Sequence, residues 1–592
     1  MATKKRKAYS CDFEATTSTY SETETRVWAY GWMEIGNTSH FNIGDNLDEF
    51  MLWTSKECAD LYFHNLRYDG EFIVNWLLHK GYECNESGRP KTFDTVISKG
   101  GQWYKIAIHH EGKGTTQIFD SLKKLPFPVK TIAKAFKLPV LKGDIDYNLH
   151  RDENHVITSE EFTYIKHDIE IVARALDIQI NQQGLVKMTN GADSMDHFIK
   201  SLDKKKKVAE RIYNQYFPKM SIAMDSIFRK AYRGGFTWVN PKFKGQEVGE
   251  GMVFDVNSLY PSVMYYKPLP WGKPVPFVGK YEEDPDFPLY ICHIKTGFVL
   301  KEGHIPTIQI KKNPIFQENE YLETSGGAPV DLHVTNVDLE LIKEHYELYD
   351  TEYVGGWKFR QQTGIFNNFI DYWMKIKTDP KSTPAIVTLA KLQLNSLYGK
   401  FASHPDVTGK VPYLKDDGST AFKKGLPKSK DPVYTPAGAF ITAWARHMTI
   451  TTAQKVYDRI LYCDTDSIHI LGIDIPEAIK NDIHQKELGK WAFECMFKRA
   501  KFVRQKTYVE DMYAKFMSYW EDGELNYMLK ECVKEEATAR LLNVKCAGMP
   551  QAVKKFVTFR TFAVGFTSDT GKLKPKHVKG GQILVDVPFT IK

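Results

Sequence analysis

Apolar and polar positions along the chain follow two periods, and the switches between them mark its elements. Ala8–Glu14 (AYSCDFE), Thr25–Met33 (TRVWAYGWM), Ala59–Phe63 and Gln102–Ile108 read as strands. Over Ser159–Gln179, Phe162, Ile165, Ile169, Val172 and Leu176 recur at helical intervals. Thr158 and Glu161 have capping-box spacing, which predicts where that helix starts. Strands first and a long helix last predict an α/β unit of roughly 190 residues.

The polar stretch Ser201–Glu210, with its lysine run Lys204–Lys207, is expected as a solvated surface or linker. Gly235–Val239 and Gly251–Val256 are strand-like, and Pro268, Pro270, Pro274 and Pro276 then exclude a helix. Phe366–Lys377, Ala385–Gly399 and Ile441–Val456 are helical by pattern. Pro405–Lys430 is polar and predicts a small insertion or hairpin, and Ile460–Leu471 a strand–turn–strand. Phe556–Phe566 and Gln582–Phe589 are β-like runs, and no internal repeat is present.

A length of 592 residues predicts two to five domains. With 42% apolar and 26% charged residues the chain is globular in type. No run reaches the ~18 apolar residues of a bilayer helix, and the basic start Met1–Lys7 is followed by no apolar signal segment. Cys11, Cys58, Cys84, Cys292, Cys463, Cys495, Cys532 and Cys546 include no C-x-x-C pair, which points to free thiols in a reducing compartment. The formal charge of +7, from 80 basic and 73 acidic side chains, excludes a uniformly basic coat for a polyanion. Any grip on nucleic acid must come from local basic surfaces. The 13% aromatic content mostly serves cores, with base stacking the minority use.

The acidic residues are not spread evenly. Asp12 and Glu14 share one face of an apolar strand, where two carboxylates repel unless a cation lies between them or one is protonated. Taken alone, such a pair marks only a wet strand face. His64-Asn-Leu-Arg-Tyr-Asp69 and Tyr164-x-x-x-Asp168 change that reading, since i and i+4 put a phenol and a carboxylate on one helix face. Four carboxylates and a tyrosine, drawn from strand, loop and helix, suit a two-metal phosphodiesterase using hard Mg²⁺ or Mn²⁺.

A second acidic set follows. Phe254-Asp255-Val256-Asn-Ser-Leu-Tyr-Pro261 ends an apolar strand, and Tyr462-Cys-Asp464-Thr-Asp466-Ser467 sits at a turn between apolar β segments. An exposed loop would also hold Asp-Thr-Asp, but acidic groups enclosed by apolar strands are costly unless paired or metal-bound. Between them, Lys391, Asn395 and Tyr398 fall within a ~60° arc at about 100° per residue. That stripe could meet phosphate, sugar and base of one nucleotide, or be an ordinary exposed face.

With these motifs together, the sequence resembles a family B DNA polymerase, specifically the protein-primed enzymes of the phi-29-like phages, over essentially the whole chain. Asp12-x-Glu14, Asn65-x-x-x-Asp69 and Tyr164-x-x-x-Asp168 match the exonuclease motifs. Asp255-x-x-Ser-Leu-Tyr-Pro261, Lys391-x-x-x-Asn-Ser-x-Tyr-Gly399, Tyr462-x-Asp-Thr-Asp-Ser467 and Lys506-x-Tyr508 match the polymerase motifs, and Tyr232-x-Gly-Gly235 the connecting segment.

The resemblance implies an α/β and α+β multidomain fold: an RNase-H-like 3′→5′ exonuclease followed by a right-hand polymerase with two insertions. Residues 1–190 would be the exonuclease, 191–268 the first part of the palm, and 269–366 the insertion that receives the priming protein. Residues 367–402 would be the fingers, 403–434 the second insertion, 435–546 the palm with the Asp-Thr-Asp turn, and 547–592 the thumb. The 136 positions from Asp255 to Lys391 leave room for the first insertion. Asp406–Lys428 corresponds to the second, which in the family helps enclose DNA and so supports processivity and strand displacement.

By the same carry-over, Asp12, Glu14, Asp69 and Asp168 hold two Mg²⁺ or Mn²⁺ ions, Tyr164 orients the water, and Lys142 supports them. His64, Asn65, Tyr68, Ser121, Leu122 and Phe127 match positions that hold single-stranded DNA. Ala15 stands where the family commonly has Thr, so one hydroxyl contact to that strand is absent and proofreading is expected to be weakened. In the polymerase site Asp255, Val256 and Asp466 hold two ions, with Asp464 assisting. Tyr260, Lys377, Lys391, Asn395 and Tyr398 meet the incoming dNTP, Tyr260 excluding a 2′-hydroxyl. Tyr232, Gly234, Gly235, Ser258, Thr442, Arg446, Arg504, Lys506 and Tyr508 contact template-primer DNA. The implied partners are template-primer and single-stranded DNA, dNTPs and a terminal (priming) protein, with no membrane. A monomer, or a heterodimer with the terminal protein, in the cytoplasm of an infected bacterial host is expected. A stand-alone nuclease leaves the complete second acidic set unexplained, a non-catalytic DNA-binding partner predicts eroded carboxylates, and a reverse transcriptase lacks the N-terminal motifs.

Overall fold

The computed structural model describes residues 6–112, 114–147, 149–310, 320–513, 516–521, 524–529 and 542–592. The chain begins with strands Ala8–Ala15 (β1), Val27–Glu34 (β2) and Asn37–Gly44 (β3) and helix Leu47–Glu57 (α1). Asp60–Phe63 (β4), Leu66–His79 (α2), Glu83–Cys84 (β5), Thr92–Ile97 (β6), Trp103–His109 (β7) and Thr115–Asp120 (β8) follow. Val129–Ala135 (α3) and Ser159–Leu176 (α4) complete this part. Its eight strands form one sheet in the order β3-β2-β1-β4-β8-β7-β6-β5. At the centre β1, β4 and β8 run parallel, so their C-terminal ends lie side by side. Those ends carry Asp12 and Glu14, then His64 and Asn65, then Asp120 and Ser121.

The predicted capping box is formed, with the Thr158 side chain accepting from the Glu161 N–H and the Glu161 carboxylate from the Thr158 N–H. Helix α4 lies on β2 at Gly31, where a Cβ would come within 2.8 Å of Ile165. This close approach carries Tyr164 and Asp168 over the ends of the central strands.

Helices Asn190–Leu202 (α5), Lys206–Tyr216 (α6) and Ile222–Arg229 (α7) lead to strands Thr237–Val239 (β9), Glu247–Val248 (β10) and Gly251–Val256 (β11), then helix Leu259–Tyr266 (α8). Leu269–Val278 (β12), Leu289–Leu300 (β13), Val330–Thr335 (β14), Asn336–His345 (α9) and Tyr346–Gln362 (β15) come next, their strands making a separate sheet ordered β12-β15-β13-β14. Asn367–Thr378 (α10), Pro384–Ser396 (α11), Tyr398–Phe401 (α12), the hairpin Lys410–Leu414 (β16) and Thr420–Lys424 (β17), and Thr435–Lys455 (α13) follow. Ile460–Asp464 (β18), Ser467–Leu471 (β19), Trp491–Arg504 (β20), Thr507–Met512 (β21), Phe516–Glu521 (β22), Glu524–Leu529 (β23) and Leu542–Cys546 (β24) precede Gln551–Lys554 (α14). A last hairpin pairs Thr567–Val578 (β25) with Gly581–Thr590 (β26). The third large sheet is ordered β24-β21-β20-β11-β19-β18-β9, with β10 beside β20. Its core joins Phe254, Val256 and Ile468 to Leu394 of α11 and Phe440 of α13.

Several expectations need correction. Phe556–Phe566 is no strand: Thr558 and Thr561 close a turn by hydroxyl bonds, and Val557, Phe559 and Phe562 are buried against Val503, Val509 and Val544. Burial there follows the shape of the underlying sheet, which imitates a strand's pattern. Of the two alternatives for the lysine run, the solvated surface holds and the linker does not: its side chains are exposed and it opens helix α6. The segment holding Pro270, Pro274 and Pro276 is non-helical, as expected: it is strand β12, placed at a sheet edge where a missing N–H costs least. The residues after Asn65 form helix α2 and no loop, and α11 ends at Ser396, so Tyr398 begins a new turn. Among the described residues all seven cysteines are free, and Cys532 lies outside them. No helix among the described residues is long and apolar enough to cross a membrane.

Lys124, just past β8, is fully buried and joins the first sheet to α5. Its ammonium donates to the Leu185 and Lys187 carbonyls at 2.8 Å and to Asp193 at 2.7 Å. Lys124→Met leaves Asp193 buried without its partner and should cost about 3–5 kcal/mol. Thermal and urea unfolding would read that loss, and Lys124→Met/Asp193→Leu should recover most of it.

Candidate active sites

Two acidic centres form, each where apolar strands end. In the first, Asp12 and Glu14 project from β1, and Asp69 on α2 accepts from the Phe13 N–H at 3.3 Å. Asn65, which precedes α2, has φ 73°, a left-handed conformation that turns the chain sharply between β4 and the helix. One carboxylate oxygen of Asp120 accepts from the N–H groups of Asn65, Leu66 and Leu122 at 3.1–3.3 Å, tying two site loops together. His64 lies between those loops, and burial holds its imidazole below the usual range. Its Nε2–H donates to the Phe127 carbonyl, so Nδ1 accepts from the Ser121 hydroxyl, both at 2.8 Å.

The Lys142 ammonium pairs with Asp168 and donates to the Tyr164 hydroxyl at 2.9 Å. Tyr147 meets that same hydroxyl at 2.5 Å. Burial, then the charge of Asp168, pushes Asp12 up to about 7. Burial and Asp12 push Glu14 and Asp69 well above the carboxylate range. Asp168 is pushed up by burial and pulled back by Lys142, and its Oδ1 is buried with no hydrogen-bond partner. The cleft over these groups measures about 610 Å³. Ala15, Asn65 and Tyr68 line it, as do Leu573, Leu584 and Asp586 from the far C-terminal hairpin.

The second centre uses the β18–β19 hairpin. Asp255 on β11 faces Ser467, and the Asp466 carbonyl accepts from the Val256 N–H at 2.7 Å. Thr465, at the turn, has φ 62°, its N–H bonded to the Phe236 carbonyl and its own carbonyl to Thr449. A Cβ at Gly235 would lie 2.6 Å from the Thr465 side chain, so the Tyr232-x-Gly-Gly segment seats on the acidic turn because that residue is glycine. Burial, then Asp466 and Glu494, pushes Asp255 up to about 7, and burial also raises Asp466.

Lys377 reaches Ser258 Oγ at 2.9 Å, and its ammonium is depressed by burial and by Lys391. Lys391 and Asn395 are exposed on α11. The rings of Tyr260 and Tyr398 stack at 3.8 Å and 18°, so the two phenols share one floor despite the helix break at Leu397. Lys506, at φ 56° between β20 and β21, donates its N–H to Tyr462 Oη at 2.9 Å and its ammonium to Asp464 at 2.6 Å. Tyr462 also donates to Asp464 at 3.1 Å, and Tyr508 packs beside it.

Thr442 and Arg446 come out differently from an open DNA contact. Thr442 is buried and bonds carbonyls of its own helix. Arg446 forms a bidentate pair with Asp338 and donates to the Arg233 and Gly234 carbonyls. Arg446 therefore supports the Tyr232-x-Gly-Gly segment from beneath. Arg504 is partly buried, its Nε without a partner. Sequence reasoning missed Tyr147, Asp120 and Glu494. Glu494 is the unpaired residue of a β-bulge opposite Val253 and Phe254, which turns it towards Asp255. Among the described residues no three acidic, histidine or cysteine side chains are gathered as a ready metal cluster, and Lys142 and Lys506 each occupy one carboxylate, Asp168 and Asp464.

Tyr462→Phe removes the hydroxyl that accepts from the Lys506 N–H and donates to Asp464, leaving the direct Lys506–Asp464 pair in place. It should slow primer extension about thirtyfold, the worth of the two hydrogen bonds lost at about 1 kcal/mol each, and leave single-strand degradation unchanged; rates of both on matched substrates check this.

The model of the family described as DNA polymerase type B, organellar and viral, matches residues 52–485. The DNA polymerase of Bacillus phage M2 is 60% identical over 99% of this chain and 100% of its own. Structures of phi29 DNA polymerase superpose with TM-scores of 0.89 for the complex with single-stranded DNA and 0.90 for the ternary complex with primer-template DNA and incoming nucleotides. They are 54% and 55% identical and cover 99% of this chain and 100% of theirs. Identity at this level across the whole chain means that the protein belongs to family B and, within it, to the phi29-like phage DNA polymerases.

Proposed function

We propose that this DNA-directed DNA polymerase extends primers at the Asp255/Asp466 centre and proofreads 3′ ends at the Asp12/Glu14/Asp69/Asp168 centre. The reading rests on two separate, partly buried, all-oxygen carboxylate sets, each backed by a lysine and a tyrosine hydroxyl. The similarity to a polymerase solved with single-stranded DNA, and with primer-template DNA and nucleotides, supports it. On this reading residues 1–190 would be the exonuclease, 191–268 and 435–546 the palm, 367–402 the fingers and 547–592 the thumb. Residues 269–366 would receive a terminal protein, and 403–434 would help enclose the DNA.

The donor sets fit hard divalent ions, and the unpartnered Asp168 Oδ1 is an oxygen still open to one. Asp12, Glu14, Asp69 and Asp168 would hold one pair of Mg²⁺ or Mn²⁺ ions, and Asp255, Asp466 and the Val256 carbonyl another. When bound, such ions activate the attacking oxygen and neutralise charge on the phosphate and leaving group.

The chain's own groups do the rest. Lys377 and Lys391 meet triphosphate charge, their mutual repulsion relieved by an anion between them. The Tyr260–Tyr398 floor lies under the sugar and nascent pair and leaves no room for a 2′-hydroxyl, with Asn395 beside it. Lys506 and Tyr508 hold the primer end, and Tyr232, Gly234 and Gly235 the template. At the exonuclease centre Tyr164, kept in place by Lys142 and Tyr147, orients the attacking water. His64, Asn65 and Tyr68 hold the frayed strand, with Ser121, Leu122 and Phe127 fixing their loop. Replication of a phage genome in the bacterial cytoplasm, by a monomer or its heterodimer with the terminal protein, is the biological setting.

Asp255→Ala and Asp466→Ala should each reduce Mg²⁺-dependent primer extension by at least about a thousandfold, the several kcal/mol expected of a metal-assisted step. Asp12→Ala/Asp69→Ala should do the same to single-strand degradation and spare extension. Extension by Asp466→Ala at the parent rate would overturn the polymerase assignment. Deleting residues 406–428 should shorten products on a singly primed circle; unchanged length would count against enclosure.

A further inference from the structure

The side chain of Asn75 on α2 is buried at 3% exposure yet belongs to neither active centre. It bonds two hairpins that are remote from it in sequence. Its Nδ2 donates to the Gly418 carbonyl at 3.0 Å and to Thr420 Oγ1 at 3.1 Å, both in the β16–β17 hairpin. Its Oδ1 accepts from the Gly580 N–H at 3.1 Å, at the tip of the β25–β26 hairpin. One amide thus uses its donor side on one hairpin and its acceptor on the other.

The surroundings show a built joint. Gln582 donates to the Arg67 and Tyr68 carbonyls of α2 at 3.0 and 3.1 Å. The tip fits only because it is glycine: at φ 87° a Cβ on Gly580 would come within 2.0 Å of the Thr25 carbonyl, and one on Gly581 within 2.5 Å of Phe72. The hairpins also touch each other, through a single bridge between Ser419 and Lys579 and a ring contact between Phe422 and His577 at 5.7 Å. Elsewhere the first hairpin's link to this part of the chain includes the exposed Lys428–Glu86 pair, which water screens. A Ser98–Gly409 bridge and the Phe422–Trp103 contact hold the base and face of that hairpin, whereas at the two tips the directional bonds come from the buried amide, and each is costly to leave unmade.

We propose that Asn75 is a positioning residue that clasps the two hairpins together on α2 and keeps the passage around the DNA shut during synthesis. This rests on the reading that residues 403–434 help enclose DNA. The clasp lies on the helix that carries Asp69, so closure is referenced to the exonuclease side, and nucleotide addition at Asp255 and Asp466 does not depend on it.

The test is extension of a singly primed circle by Asn75→Ala with excess competitor DNA, so that each product reports one binding event. Losing these bonds should shorten products about tenfold, while kcat and KM for a single dNTP on a short duplex stay within about twofold of the parent. A disulfide from Ser419→Cys/Lys579→Cys, formed in the Asn75→Ala background after loading on the circle, should restore length, and reduction should abolish it again. Unchanged length, an equal loss in single-nucleotide kinetics, or no rescue by the verified disulfide would overturn the clasp. If deleting 406–428 shortens products and Asn75→Ala does not, enclosure stands and the clasp falls. If neither does, the enclosure reading itself fails.

Discussion

Crowding carboxylates at the ends of apolar strands is the constraint around which both centres are organised. Burial disfavours the charged form of each acid, and neighbouring acids disfavour it further, which is why Asp12 and Asp255 both rise to about 7. Each centre meets this cost in the same way. A lysine ammonium rests on one carboxylate, and a tyrosine hydroxyl bonds within the same group: Lys142, Asp168 and Tyr164 in one, Lys506, Asp464 and Tyr462 in the other. The two arrangements sit on different sheets and use different sequence spacings, so their likeness reflects shared electrostatics.

The backbone shows where this arrangement strains the chain. Among the described residues eight non-glycines have positive φ, and four of them are Asn65, Ser258, Thr465 and Lys506, each within a motif that supplies a centre. Left-handed backbone is unfavourable for such residues and persists only where surrounding contacts over-determine it. Those contacts are visible: Asp120 fixes Asn65, Lys377 reaches Ser258, Phe236 and Thr449 hold Thr465, and Tyr462 holds Lys506. The strain sets the angles at which the functional side chains leave the strands.

What can be read from the sequence follows from this. Strand β11, the Ile460–Leu471 hairpin and helix α4 carry local periods and caps, so residue order alone assigns their acids to faces. Tyr147, Asp120 and Glu494 are illegible there because no local pattern reports what they do. Tyr147 arrives through an irregular loop, Asp120 acts by accepting three backbone N–H groups from two loops, and Glu494 owes its direction to a bulge. Thr442 and Arg446 show the opposite difficulty. Their motif is legible, but their burial and the Asp338 pair depend on packing of α9 against α13. The run Phe556–Phe566 misleads because a turn lying on a sheet can copy the burial pattern of a strand.

The small net charge hides how the two centres are connected. Between α11, which bears Lys391, and the Ser121 loop beside His64 runs a buried polar chain. Ser194 bonds Gln393, Asn190 bonds Gln179 and the Lys124 carbonyl, and the Lys124 N–H bonds the Ser121 carbonyl. An apolar contact of the same area would tolerate sliding, since the hydrophobic effect is non-directional. Buried hydrogen bonds do not, because a shift of an ångström leaves donors unpaired at a cost of about 1–3 kcal/mol each. The Lys124–Asp193 ion pair adds the same demand at the middle of the chain. The helix that bears Lys391 and the loop beside His64 are thereby kept in one register.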